Sequence, residues 1–400
     1  MMKLKSVLLL SIMLSTAGAA KDGSTVADTQ IVLRQHMLDS DISSMTFRNM
    51  DNMFETRIVK RGKSVWQLPY VKGYTPPTYE SGGATLAYED FAQRTYTNAF
   101  LIIRDGKILF EDYRNRAKSG DRFIGFSTTK SIVSILIGIA VRQKHIHSID
   151  DPASNYVPEL KGAGYDGVSI RHVLQMRSGI DYEERYDFGT KPSFAAMIHI
   201  NAIVANKERF ADSAIKVKRG SEPGSRFNYA TLDTAVLGWV LERATRQPLA
   251  QYMTKNLWQP AGMEADGYFI ADGPEGVGRE LSGMGYNATL RDFGRFGQLL
   301  LQNGKRGDKQ VIPADWVKQA TTMLPFKREG LIDFGEGYGF QFWQVDNEPG
   351  AFAAVGLAGQ FIYVHPSTRT VIVKLSHYPV PEPAQVSTEA LAYFKAVVSH

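Results

Sequence analysis

With 400 residues, 44% of them hydrophobic and 22% charged, the chain has the composition of an ordinary globular protein with a large core, which excludes wholesale disorder. Its formal net charge of +5 is mild and comes from scattered Lys and Arg, with only short clusters such as Lys216, Lys218 and Arg219. No basic stripe marks a nucleic-acid surface, so no nucleic-acid partner is expected. The lack of Cys excludes disulfides, thiolate metal sites and a lipid anchor on an N-terminal Cys.

In chain order, residues 1–20 read as an export signal. Lys3 and Lys5 precede the apolar run 7–14, and Ala17, Gly18, Ala19 and Ala20 supply small residues for cleavage. That run is too short to span a bilayer, so no stable membrane span is expected after cleavage, and the product is expected to be periplasmic or secreted. Residues 21–95 are polar at first. They then carry two Pro and three Gly in the stretch 70–83, and read as an extension that wraps the main domain. The main domain is assigned to 96–400.

It opens with two apolar runs, 99–104 and 107–113, around Asp105-Gly106. Both of those residue types tolerate positive φ, so the pattern predicts a hairpin. Residues 127–143 are apolar on nearly all faces and predict a helix buried in protein. From 144 to about 330, helical patterns alternate with Gly/Pro loops. The clearest are an amphipathic helix over 232–244, with Val236, Trp239 and Val240 on one stripe, and another over 291–302. Strands are predicted at 338–345, 360–365 and 370–376, and a helix at 385–398 closes the chain. The expected fold class is α+β. An antiparallel sheet from N- and C-terminal strands is flanked by helices, and a mostly helical lobe is inserted at about 144–330.

The chemistry concentrates at Ser127-Thr128-Thr129-Lys130, an S-x-x-K pattern. Residues three apart at the start of a helix share a face, about 4.5 Å apart along the axis. A serine hydroxyl needs a base to become a nucleophile, and burial moves a lysine amine into the range where it can be that base. The flanking Phe126, Ile132, Val133 and Ile135 supply the apolar surroundings. The pattern alone is common, and taken by itself an N-cap serine beside an ordinary lysine explains it better. A lysine within a core-type helix, however, is costly without a function or a partner.

Two further stretches add to it. Tyr229, in Tyr229-Ala230-Thr231, is a candidate to relay a proton or share the base role, with Thr231 a candidate hydrogen-bond partner of the lysine; taken alone, a core Tyr followed by a Thr N-cap explains the stretch better. Gly356-Leu357-Ala358-Gly359-Gln360 lets a substrate backbone approach closely, and the backbone N–H groups of Ser127 and Gln360 are expected to form the oxyanion hole. There is no G-x-S-x-G elbow and no H-E-x-x-H. His145 and His147 read as surface or capping residues; no metal or cofactor is expected.

Taken together these stretches resemble the serine β-lactamase and penicillin-recognising superfamily over residues 95–400. The likeness is to its class C-like branch of family VIII carboxylesterases and 6-aminohexanoate-dimer hydrolases. Ser127–Lys130 and Tyr229-Ala230-Thr231 match the family's first two motifs. The stretches 150–160, 170–180, 223–229, 237–242 and 257–263 follow in the family's order. The family's third motif usually carries Lys, His or Trp before a small residue and Gly. Here that position reads as Leu357, with Ala358 and Gly359. A cation there would bind a carboxylate, so its absence speaks against β-lactamase or D-Ala-D-Ala peptidase activity and for an ester or small linear amide substrate. Tyr186 resembles in position a substrate-contacting Tyr of the nylon-oligomer hydrolases. The resemblance therefore implies a serine hydrolase with catalytic Ser127, Lys130 and Tyr229, a substrate surface of Tyr186, Thr231, Leu357 and Gly359, and loops 181–222 and 264–288 facing the substrate. The alternatives are a β-lactamase or peptidase, and a non-catalytic ligand-binding protein on the same fold.

Overall fold

The computed structural model describes residues 26–326, 335–346, 348 and 350–400; the expected export signal lies outside them. Strands β1 (Thr97–Arg104) and β2 (Lys107–Tyr113) form the hairpin around Asp105 and Gly106, whose φ values of 51° and 73° are what a tight two-residue turn requires. Strands β3 (Phe352–Gly356), β4 (Gln360–His365) and β5 (Thr370–Ser376) come from the other end of the chain. They join β1 and β2 in a five-stranded antiparallel sheet of order β3-β4-β5-β1-β2. Every residue of β4 and β5 is buried, as expected of strands covered on both faces.

Four long helices organise the rest: α1 (Thr128–Arg142), α2 (Thr231–Thr245), α3 (Leu290–Leu301) and α4 (Ala384–Ser399). Helix α3 packs on β1, β4 and β5. Helix α4 sets Tyr393 and Phe394 against Phe100 of β1. Helix α1 is buried from Thr128 to Ala140, between α2 and the edge strand β3. Helix α2 departs from the amphipathic expectation. It is buried continuously from Thr231 to Leu241, because α1 packs on it and so does the short helix Ile170–Leu174.

Two expectations change. The strand predicted over 338–345 shrinks to Gly337–Tyr338, paired with Leu324–Pro325. Gln341 takes a left-handed φ of 66° there, which breaks the extended run before Trp343 bridges to Ala353. The helical lobe also contains part of a second antiparallel sheet, of order Glu55–Val59, Gly267–Ala271, Tyr286–Ala288, Phe123–Ile124. One edge of that sheet comes from the N-terminal extension. The other runs straight into the turn that carries Ser127.

Candidate active site

The two-residue strand Phe123–Ile124 delivers the chain to Gly125, whose N–H donates to the Tyr286 carbonyl at 2.8 Å. Phe126 then turns through a left-handed φ of 43°, held by its burial and an edge-to-face contact with Phe47 at 4.9 Å. Such a conformation is costly for a bulky residue and persists only where packing over-determines it. Here it sets Ser127 at the first turn of α1. Ser127 is itself helical, with φ −67° and ψ −7°, and its side chain caps nothing. The serine is partly exposed while Lys130 is buried.

Lys130 Nζ lies 2.8 Å from Ser127 Oγ, 3.0 Å from Thr231 Oγ1 and 2.7 Å from the Gly283 carbonyl oxygen. These partners are neutral. Burial pushes the amine down to about 8, and the more distant Glu184 carboxylate opposes the shift. The Lys130 amine also sits 5.0 Å from the centre of the Tyr229 ring. Burial pushes the Tyr229 hydroxyl well above the ordinary tyrosine value, and the neighbouring Ser127 hydroxyl opposes that shift. A phenol with that shift stays protonated near neutrality, so it can hand over a proton but cannot begin by taking one. One flank of Tyr229 is aromatic. Trp343 lies 5.4 Å away, Tyr338 meets it edge-on at 6.4 Å, and Phe227 stacks on Phe326 beyond them at 4.2 Å.

Tyr186 belongs to the other bank. It is exposed, stacks with Phe188 at 6.3 Å, and donates to the Glu184 carboxylate. Glu184 in turn accepts the Thr231 N–H at 2.6 Å and the Thr231 hydroxyl at 2.9 Å. The loops 181–222 and 264–288 thus reach the site through Glu184 and Gly283.

The β3–β4 turn is arranged differently from the expectation for Gln360. Ala353 exchanges both backbone hydrogen bonds with Trp343 at 2.9 Å, so the odd-numbered residues of β3 face the sheet's outer edge. By alternation, Gly356 pairs inward with Gln360, whose N–H is thereby turned into the sheet. The Gln360 side chain is used as well: its amide donates to the carbonyls of Leu357 at 3.1 Å, Ala358 at 3.0 Å and Ser376 at 2.9 Å. The outward N–H that follows Gly356 belongs to Leu357. Gly356 is also the glycine set against Ser127. A Cβ there would lie 3.1 Å from Ser127 N and closer still to the Gly125 carbonyl. The triplet in the third-motif place is therefore Ala354-Val355-Gly356, not Leu357-Ala358-Gly359, and it too lacks a cation. Gly359 faces the ring of Tyr378, away from Ser127.

The structure thus brings Ser127, Lys130, Tyr229 and Thr231 into contact, and ties Tyr186 to them through Glu184. Sequence reasoning missed Glu184 and Gly283, and it named Gly356 only as the start of the Gly356–Gln360 stretch, without its place against Ser127. Gly283 acts through a carbonyl, which leaves no side-chain signature, and Glu184 is one of two adjacent glutamates in a loop without periodicity. Among the described residues, no group of three or more His, Cys, Asp or Glu could hold a metal ion, and no helix is long and apolar enough to cross a membrane.

The family model described as Beta-lactamase matches residues 84–394. A 6-aminohexanoate-dimer hydrolase of Paenarthrobacter ureafaciens is 31% identical over 306 residues, covering 74% of this chain and 76% of its own. Esterase EstB of Burkholderia gladioli is 29% identical over 192 residues, covering 43% of this chain and 47% of its own. In fold, a provisionally named 6-aminohexanoate-dimer hydrolase from Bacillus anthracis superposes with a TM-score of 0.79 at 22% identity, covering 94% of this chain and 98% of that one. A family VIII carboxylesterase gives 0.58 at 16% identity, covering 78% and 94%. The chain therefore belongs to the beta-lactamase family, within the serine β-lactamase-like superfamily of hydrolases.

Proposed function

We propose that this hydrolase cleaves an ester or a small linear amide through an acyl-enzyme on Ser127. The observation that carries the reading is the setting of Lys130. Its buried amine lies 2.8 Å from a partly exposed serine hydroxyl and touches only neutral partners. In this reading Lys130 takes the Ser127 proton as Oγ attacks the substrate carbonyl. The backbone N–H groups of Ser127 and Leu357 hold the oxyanion. Leu357 replaces Gln360 in that role because the Gln360 N–H is turned into the sheet. The protonated Tyr229 hydroxyl passes its proton to the leaving group and is reprotonated from Lys130. Water then attacks the acyl-enzyme by the same relay in reverse.

Ester or amide is favoured over β-lactam because the triplet at the third-motif place, Ala354-Val355-Gly356, offers no cation for a carboxylate. One relative is named for hydrolysing a 6-aminohexanoate dimer and another as an esterase, which supports the same substrate class. The first 20 residues support export to the periplasm or medium.

The test is to treat the purified protein with a fluorophosphonate probe, a p-nitrophenyl ester, a linear amide and nitrocefin. Labelling and ester or amide turnover, both abolished by Ser127→Ala, are expected. Nitrocefin hydrolysis outpacing the others would make it a β-lactamase. Neither labelling nor turnover would make it a binding protein.

A further inference from the structure

Glu184 lies outside every motif that defines the site, yet its carboxylate holds Thr231 at two points. Oε2 accepts the Thr231 N–H at 2.6 Å, and Oε1 accepts the Thr231 hydroxyl at 2.9 Å. A carboxylate only accepts, so the hydroxyl hydrogen of Thr231 is committed to it. That commitment decides what Thr231 can do for its other neighbour. A neutral lysine amine has two N–H groups and one lone pair, and Lys130 Nζ has three neighbours. The Gly283 carbonyl at 2.7 Å can only accept. Thr231 Oγ1 at 3.0 Å, its hydrogen already given away, can also only accept. Both N–H groups are thereby used, and the lone pair is left facing Ser127 Oγ at 2.8 Å.

Without Glu184 the Thr231 hydroxyl could rotate and donate to the lysine lone pair, which would block the base. We infer that Glu184 is a positioning residue for Lys130: by fixing the hydrogen of Thr231, it turns the lysine lone pair onto Ser127. The protons balance. The Ser127 hydroxyl hydrogen moves to Nζ, and the resulting ammonium has three N–H groups for three acceptors: Ser127 Oγ, Thr231 Oγ1 and the Gly283 carbonyl. Glu184 also stabilises that ammonium by charge across Thr231. Around Lys130 the other titratable group in reach is Tyr229, which is neutral. Around Glu184 they are Tyr182, Tyr186, Tyr229 and Lys130 itself, with Tyr165 and Asp233 farther off.

The inference rests on the proposed Ser127–Lys130 chemistry. The rate of Ser127 labelling by a fluorophosphonate, measured against pH, separates the two. Glu184→Gln is near-isosteric but carries no charge and brings an N–H toward Thr231. Its labelling plateau should fall about tenfold. Its ascending limb should move to lower pH by about half a unit, because the carboxylate that raises the Lys130 pKa is gone. A residue that merely supported the loop would lower the plateau and leave the limb in place. Asp233→Asn, which removes a carboxyl that burial pushes up to about 7, should not change the direction of that shift.

Thr231→Val cuts the same connection from the lysine side. If it labels about tenfold slower and Glu184→Gln adds less than about twofold in that background, the two residues act in series. Should Glu184→Gln alone be poorly folded by its melting curve, Thr231→Val carries the test by itself, and labelling at the wild-type rate overturns the inference. An unshifted limb, or effects that multiply in the double variant, overturns the inference while leaving Ser127 as nucleophile. Wild-type protein that does not label at all overturns the functional reading instead.

Discussion

Two buried lysines among the described residues each touch a serine, and the two serines differ in accessibility. Lys374 lies near Ser376 Oγ, donates to the Thr95 carbonyl at 2.7 Å and sits 4.7 Å from the Tyr378 ring centre. Ser376 is 1% exposed, so no substrate reaches it. Lys130 pairs with a serine that is open to solvent at a helix N-terminus, where backbone N–H groups favour developing negative charge. Lys130→Ala should cost at least about a hundredfold in kcat, the scale of a lost general base, while the melting curve stays cooperative. Lys374→Met should leave the Ser127 labelling rate unchanged at every pH. The pH dependence has a definite sign. The proposed mechanism needs the neutral amine, and burial holds that group down to about 8, so kcat/KM should rise with pH up to about 8 and then level off. The raised Tyr229 hydroxyl keeps its proton well beyond that point. A profile that is flat from pH 6 to 9 would remove Lys130 from the role of base.

Among the elements, β3 approaches the turn that carries Ser127 with little tolerance. Gly356 has no room for a side chain, since a Cβ would press on the Gly125 carbonyl and on Ser127 N. Gly356→Ala should therefore displace either the turn or the strand edge. The expected cost is about 1–3 kcal/mol in stability, with a larger loss of labelling than of melting temperature. If that variant labels at the wild-type rate, the position of Leu357 in the oxyanion site is wrong. Elements with strong local patterns were legible in the sequence. The Asp105-Gly106 hairpin and the strands Gln360–His365 and Thr370–Ser376 stand where alternation and turn chemistry put them. What was not legible depends on contacts distant in the chain. Helix α2 reads as amphipathic but is enclosed by α1 and by Ile170–Leu174. The run 338–345 reads as a strand but is broken by a left-handed Gln341. The direction of the Gln360 N–H follows from the register of β3, which no local pattern encodes.

For the molecule as a whole, the site is assembled from five separated stretches: 127–130, 184–186, 229–231, 283 and 356–357. The motif residues on two of them were legible because their side chains carry chemistry. Glu184 and Gly283 were not, because loop closure alone brings them in. The N-terminal segment helps to hold that closure. Arg34, buried in the helix Asp28–His36, donates to the carbonyls of Met53 at 2.7 Å, Ile203 at 3.3 Å and Val204 at 3.2 Å, and to the Asn206 side chain. It thereby fastens the far end of the segment that begins with Glu184 and Tyr186. Arg34→Met would leave those buried acceptors unsatisfied, and a loss of about 1–3 kcal/mol in denaturant unfolding is expected. The proposed mechanism passes through an acyl-enzyme on Ser127. The most direct measurement is intact-protein mass spectrometry with peptide mapping after brief exposure to a slowly hydrolysed aryl ester. The account predicts a single acyl adduct on the peptide containing Ser127, absent from Ser127→Ala and slow to form in Lys130→Ala. An adduct on another residue, or one that persists in Ser127→Ala, would contradict it.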